Sequence, residues 1–317
     1  MKTVINNCTD PYFNLACEEY LMENSDSDIF MLWQNKPSVI IGISQNAFSE
    51  VNLSYAQEHG IPVCRRMTGG GAVYHDLGNI NFTFITKDDG CGIDFRRFLM
   101  PITEALSDLG CVCEINGRND IVFNGRKISG NAQCHKYGKI LHHGTLLIDT
   151  DFGVLEKVLN VDKEKMKSKG ITSVRSRVEN LISYLKTDVN GVKNSIIQRI
   201  ATEMFELDKS EVDAVNAIKE SKYTSWDFIF GRSKTLENTV KKRFDGGGTV
   251  EISYTAERGI VKEARIFGDF FSDNDPSEIE KALIGSKMIR ENIEASLNNG
   301  GCSMYGITNR EIAEMLI

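Results

Sequence analysis

The chain has 317 residues, 41% hydrophobic and 26% charged, an ordinary globular composition with length enough for one large unit plus a small one. Thirty-seven Lys and Arg against 44 Asp and Glu leave a net charge of −7, which argues against a nucleic-acid partner. No apolar run exceeds five residues, far below the ~20 that cross a bilayer, and the opening segment lacks a signal peptide's apolar core, so no membrane partner and a cytoplasmic location are expected.

The charge is uneven. From Thr249 to Ile317 seven Lys/Arg face twelve Asp/Glu, giving −5 and leaving only −2 for the first 248 residues. A nearly balanced large part can hold a positive cleft inside an acidic molecule. Eight cysteines in a chain read as cytoplasmic point to reduced thiols. Cys111 and Cys113 form a C-x-C that completes no metal set.

In chain order, Asp10-Pro11 reads as an N-cap followed by proline at the first helical position, with Phe13, Ala16, Cys17, Tyr20 and Leu21 recurring at helical spacing. Strands are expected at Ile29–Trp33, Ser38–Ile43, Ile61–Arg65, Asn79–Ile85, Ile121–Phe123, Arg126–Ser129 and Gly144–Ile148, with a helix from about Phe95 to Leu109. Several strands follow one another through short turns, so the sheets should be mixed and mainly antiparallel, in an α/β (α+β) fold flanked by helices. Asp245-Gly246-Gly247-Gly248 is the strongest punctuation. After it come a hairpin, Thr249–Tyr254 and Ile260–Phe267, and helices near Ser277–Ile284 and Lys287–Leu297. The expected division is therefore a large unit over 1–245 and a small unit over 249–317, with a hinge at 245–248.

The stretch Arg65-Arg66-Met67-Thr68-Gly69-Gly70-Gly71-Ala72-Val73-Tyr74-His75-Asp76 is the most informative. Three successive glycines leave backbone N–H groups bare to converge on an anion, and the arginines add charge. The spacing is neither a Walker loop nor a Rossmann turn. A flexible hairpin tip beside two solvated arginines is the plainer alternative. Directly after it, Ile80, Phe82 and Phe84 alternate with Asn79, Asn81 and Thr83, whose polar face meets either water or a polar cleft.

Asn124-Gly125 between IVF and RKIS is a type I′ hairpin signal. A two-residue loop would pair Phe123 with Arg126, Val122 with Lys127, Ile121 with Ile128 and Asp120 with Ser129. Asp120 and Lys127 then become diagonal neighbours, either an exposed ion pair or part of a site.

The segments DPYFNLACEEYL, LWQNKPSVIIGISQN, RRMTGGGAVYHDLGNINFTF, GRNDIVFNGRKISGNAQ, HHGTLLID and GITSVRSRVENL, in this order, closely resemble the lipoate–protein ligase A family of biotin/lipoate ligases. The likeness covers most of the first 185 residues. It implies the biotin/lipoate ligase fold with a small C-terminal domain, and a two-step activity. Lipoate and ATP with Mg²⁺ give lipoyl-AMP and pyrophosphate; the lipoyl group then passes to a lysine of a lipoyl acceptor domain. Such acceptors are E2 subunits of 2-oxoacid dehydrogenases and glycine-cleavage H protein, and a monomer is the family's usual state. By matching motif, Lys127 corresponds to the lysine that touches both lipoate and nucleotide. Arg66, Gly71, Ala72, Val73 and Tyr74 correspond to nucleotide-contacting positions, and Asp120 to the acidic position near magnesium. His75 and His143 are assigned to lipoate, and Ser173 to Arg177 resembles a loop that closes over the adenylate.

Chemistry agrees with this reading. A carboxylate attacking an α-phosphate joins two anions, so fixed cations are needed, while the mixed anhydride needs no protein nucleophile. An apolar slot is expected for the alkyl chain, with Val39–Ile43 and the opposite side of the Asn79–Ile85 strand as candidates between which sequence does not choose. An acyltransferase of the same fold working through a thioester at Cys134, and a non-catalytic lipoate-binding protein, are the competing readings.

Overall fold

A computed structural model describes residues 1–90, 92–117, 119–160, 177–232 and 236–317. The chain opens with strand β1 (Lys2–Ile5) and helix α1 (Pro11–Asn24), which Asp10 caps by accepting from the N–H of Tyr12. Strands β2 (Ile29–Trp33) and β3 (Ser38–Ile41) follow, then short helices α2 (Ala47–Glu50) and α3 (Leu53–Glu58), and three-residue strands β4 (Val63–Arg65) and β5 (Val73–His75). Next come β6 (Asn79–Lys87), α4 (Arg96–Asp108), β7 (Glu114–Asn116), β8 (Asp120–Phe123), β9 (Arg126–Lys136) and β10 (Lys139–Leu147). After α5 (Phe152–Val158) lie α6 (Val189–Ile200), β11 (Glu203–Phe205), α7 (Lys209–Ile218) and α8 (Trp226–Ile229). The C-terminal part is β12 (Asn238–Phe244), β13 (Gly248–Glu257), β14 (Ile260–Gly268), α9 (Pro276–Leu283), α10 (Arg290–Asn299) and α11 (Asn309–Met315).

Among the described residues the large sheet has the order β11-β1-β2-β6-β10-β9-β8-β7, parallel only around β1 and otherwise antiparallel. Strand alternation gives it two faces. Phe30, Ile80, Phe82, Phe84 and Ile128 point to one side, into a core closed by α4 and α6. Ile29, Met31, Trp33 and Leu141 point to the other, against α1 and α7. The polar residues Asn79, Asn81 and Thr83 lie on this second side and are fully buried, so they do not meet water. A small sheet, β4-β3-β5, packs with α2, α5 and α8 in a separate core.

One expected pairing is corrected here, and one turn is located. β8 and β9 form the expected hairpin, but a bulge intervenes: Val122 pairs with Lys127 while Ile121 pairs with Ser129 and Asp120 with Gly130. Ile128 is the extra residue, and the bulge lets both Ile121 and Ile128 enter the core. Second, β12-β13-β14 is one antiparallel sheet with Phe244 opposite Gly248. Residues 245–247 are therefore the turn of a hairpin, closed by the N–H of Gly247 on the carbonyl of Phe244, and a cut near 247 would separate paired strands. Phe244 packs with Val250, Ile252 and Ile266 in the C-terminal core.

Candidate active site

A cavity of about 390 Å³ lies where α1, the buried polar side of the large sheet, the small sheet and the β12–β13 turn meet. One wall is apolar: Leu15, Trp33, Ile40 and Val73 belong to a single packed cluster. The lining also carries Asp120, Lys127 and Arg177. Lys127 Nζ stands 2.6 Å from Asp120 Oδ1, and Arg177 donates to Asp120 Oδ2 at 3.4 Å. Glycine at 130 makes room for the lysine, since a Cβ there would lie 2.8 Å from Nζ. The backbone N–H of Lys127 donates to the carbonyl of Arg177, and the N–H of Glu179 to that of Lys127, so this short segment is tied to β9 beside the lysine.

The two arginines before the glycines are buried, not solvated, and do different things. Arg65 donates to the backbone carbonyls of Gly42, Ile43, Gln45, Phe228 and Ile229, pinning α8 to the small sheet. Burial lowers its pKa to about 9. Arg66 faces the cavity and donates to Thr68 Oγ1 and to the carbonyls of Ile40, Gly69 and Gly71, which fixes the course of the loop. Burial lowers its pKa to about 10. Gly42 and Gly69 permit the close approach, because a Cβ would lie 2.2 Å from the Gly70 carbonyl oxygen or 2.3 Å from that of Phe270.

A continuous hydrogen-bond chain runs from Trp33 to Arg66. Trp33 Nε1 donates to Thr83 Oγ1 (2.9 Å), and Thr83 to the buried Glu18 Oε1 (2.6 Å). His143 bridges Glu18 through Nδ1 (2.9 Å) and Thr68 Oγ1 through Nε2 (2.8 Å). His75 is placed separately. Asn14 donates to Asn35 Oδ1, which leaves the Asn35 amide nitrogen to donate to His75 Nδ1, so the ring proton sits on Nε2. Burial first, then the charge of Arg66, lowers the His75 pKa to about 3 and keeps the ring neutral. His75 Nε2, Asn81 Nδ2 and Asn131 Oδ1 are buried without a partner among the described residues, and all three residues line the cavity. Orphaned buried polar atoms converging on one space are what a bound ligand would satisfy.

Of the residues expected from sequence, Arg66, Gly71, Ala72, Val73, His75, Asp120, Lys127, His143 and Arg177 line this one cavity. Tyr74 does not. In β5 its side chain alternates away from Val73 and His75 and packs with Val39 and Ile41. Ser173 lies outside the described residues. Of the segment Val39–Ile43 only Ile40 lines the cavity, and the apolar side of β6 is core, so Asn81 represents that strand here. Sequence reasoning missed Leu15, Trp33, Asn131, Arg243, Asp269 and the supporting Glu18. Asn131 shares a strand with Lys127, and alternation past the bulge was the one signal that pointed to it.

A Mg²⁺ that arrives on nucleotide phosphates suits this donor set better than a resident ion. Among the described residues no group of three His, Cys, Asp or Glu is placed to hold a metal. Asp120 offers a single carboxylate whose remaining lone pairs can meet a cation already coordinated by phosphate and water.

Comparison with known proteins shows the family. The model for the lipoyl protein ligase A/B catalytic domain matches residues 10–201, and that for the bacterial lipoate protein ligase C-terminus matches 233–316. The chain is 39% identical to lipoate-protein ligase LplJ of Bacillus subtilis, over 98% of each chain. It superposes on P. falciparum LipL1 in complex with lipoate with a TM-score of 0.80 and 25% identity, covering 94% of this chain and 93% of that one. The bipartite lipoate protein ligase of Thermoplasma acidophilum, studied with its E2 lipoyl domain, gives a TM-score of 0.65, 29% identity and coverage of 74% and 97%. A lipoate-protein ligase A bound with ATP gives 0.62, 27% identity and coverage of 73% and 98%. With both family models matched in order along one chain, and Lys127, Asp120 and the glycine loop gathered at one cavity, the protein belongs to the lipoate–protein ligase family.

Proposed function

We propose that the cavity performs ATP-dependent ligation of lipoate to protein, with Lys127 as its catalytic centre. The observation that carries this is the position of Lys127: its ammonium shares one enclosed space with the Gly70–Val73 loop, with Asp120 and Arg177, and with an apolar wall. In the first step a lipoate carboxylate oxygen bonds to the α-phosphorus of ATP and the bond to the bridging oxygen breaks, releasing pyrophosphate. Two anions must meet, and Lys127 placed between them offsets that repulsion. Asp120 and Arg177 hold the ammonium's position, and Arg66 holds the loop. Leu15, Trp33, Ile40 and Val73 suit the alkyl chain and dithiolane, with His75 and His143 beside them. Mg²⁺ on the nucleotide would supply further positive charge at the phosphates, and Asp120 is the residue to hold it. In the second step the acceptor lysine's amine bonds to the acyl carbon, AMP leaves with the electron pair of the C–O bond, and the amine gives up a proton.

The acceptors we expect are lipoyl domains of 2-oxoacid dehydrogenase E2 subunits, glycine-cleavage H protein, or both. We expect a monomer acting in the cytoplasm. Among the described residues no helix is long and apolar enough to cross a membrane. We place the division between catalytic and accessory units upstream of Asn238, because the 245–247 turn belongs to the accessory sheet. A hinge is better sought there. The thioester alternative finds little support: Cys134 is absent from the cavity lining, and burial pushes its thiol up to about 12, which disfavours the thiolate. Incubating a lipoyl domain with the protein, ATP, Mg²⁺ and lipoate, and weighing the product, tests the whole reading. Gain of one lipoyl group per domain is expected, and no gain would reject it.

A further inference from the structure

The C-terminal sheet supplies part of the cavity wall: Arg243, Phe244, Asp245, Gly246, Gly248 and Asp269 all face it. Its seat against the glycine loop is set by backbone contacts. The N–H of Gly70 donates to the carbonyl of Phe270 and that of Gly268 to the carbonyl of Ser44. Arg243, the residue before the last of β12 and paired in register with Thr249, thereby lines the same cavity as Lys127.

The cations around the cavity are not equally available. Lys127 and Arg177 share the carboxylate of Asp120, and Arg66 is spent on Thr68 and on carbonyls of its own loop and β3. Arg243 donates to a neutral hydroxyl, Thr249 Oγ1 at 3.1 Å, and has no carboxylate partner among the described residues. Lys241, two residues earlier on the same side of β12, lines an adjoining hollow of about 370 Å³ that shares Gly71, Ala72, Arg177 and Asp269 with the main cavity. Lys241 faces Glu251 at 3.9 Å, and Asp245 and Asp269 share the cavity lining with Arg243. Attack at the α-phosphorus pushes charge onto the oxygen that bridges to the β-phosphate, and a guanidinium suits such an oxyanion because its planar N–H groups bind phosphate in pairs.

Building on the ligase reading, we propose that Arg243 is a catalytic residue of the adenylation step alone, binding the β- and γ-phosphate oxygens that depart as pyrophosphate. The second step contains no pyrophosphate, so transfer from lipoyl-AMP to the acceptor lysine does not use Arg243.

The half-reactions separate the roles. Arg243 is exposed, so Arg243→Gln and Arg243→Lys are compatible with the fold of the full chain. In lipoate-dependent ATP–pyrophosphate exchange, Arg243→Gln should lower kcat/KM by about 100-fold, with partial recovery in Arg243→Lys. Transfer from preformed lipoyl-AMP to a lipoyl domain should stay within about 3-fold of the unsubstituted chain for both. Exchange within about 3-fold of the unsubstituted chain would overturn the assignment. Equal losses in both half-reactions would overturn it too, placing Arg243 on the adenylate or the acceptor. Absence of lipoate-dependent exchange in the unsubstituted chain would instead reject the ligase reading, and this assignment with it.

Discussion

At the scale of single residues, the chemistry rests on an ammonium held between two anions. At about 4 Å and an effective dielectric of 20 such a contact is worth about 4 kcal/mol, roughly a thousandfold in rate at the upper limit. Lys127→Ala should therefore cut adenylate formation by up to about 1000-fold while leaving the urea unfolding midpoint near that of the parent. Arg65 makes the opposite prediction. Its five carbonyl partners are buried backbone, so Arg65→Met should cost about 3–5 kcal/mol in urea unfolding, a structural loss before any catalytic one. Sequence could pair Asp120 with Lys127 because a two-residue Asn-Gly turn fixes their distance along the chain. It could not tell Arg65 from Arg66, since adjacent residues on a strand face opposite ways and the partners that separate their roles come from Gly42 and Phe228. Glu18 was equally hidden: it reads as an ordinary helix carboxylate until Thr83 and His143 are seen against it.

Among elements, the β8–β9 hairpin shows how a small irregularity serves the site. The bulge at Ile128 shifts Asp120 opposite Gly130, and the missing side chain there receives the lysine ammonium. Gly130→Ala should displace Nζ with little strain, because the atom it meets is the end of a flexible chain. A misplacement of this kind is expected to lower the adenylation rate by about 10- to 100-fold with stability nearly unchanged, as thermal unfolding beside an exchange assay would report. Strand β6 and helix α1 were legible because periodicity accumulates over many residues, whereas of β10 only the part from Gly144 was expected and the capped helices α6 and α7 were not. The bulge was not, since Ile121 and Ile128 satisfy an unbroken ladder on paper as well as they satisfy the bulged one. Strands β5, β7 and β11, each of three residues, are too short for alternation to speak, and only their neighbours in the sheets define them. That brevity is why sequence did not separate Tyr74, which is absent from the cavity lining, from Gly71, Ala72 and Val73.

For the molecule as a whole, burial of two neutral histidines sets an acid limit. His75 is held at about 3, and His142, packed among Phe82, Phe95 and Phe98, is lowered well below 6.5 by the same desolvation. Both bind protons less readily folded than unfolded. Their contribution to stability is therefore full above the unfolded pKa near 6.5 and declines as pH falls beneath it. Each costs about 1.4 kcal/mol per pH unit in that range, so urea unfolding at pH 5.5 should give a free energy about 2.7 kcal/mol below that at pH 7.5 from these two groups. Replacing His142 with Phe should remove about half of that difference. The overall architecture was readable from strands in quick succession, which exclude a doubly wound sheet. The division of the chain was not, because the glycines at 246–248 mark a hairpin turn with the same residues that would mark a linker. One measurement bears on the central claim most directly: lipoate-dependent ATP–pyrophosphate exchange in the unsubstituted chain and in Lys127→Ala. The account predicts exchange in the first and its near-complete loss in the second; comparable exchange in both would contradict it.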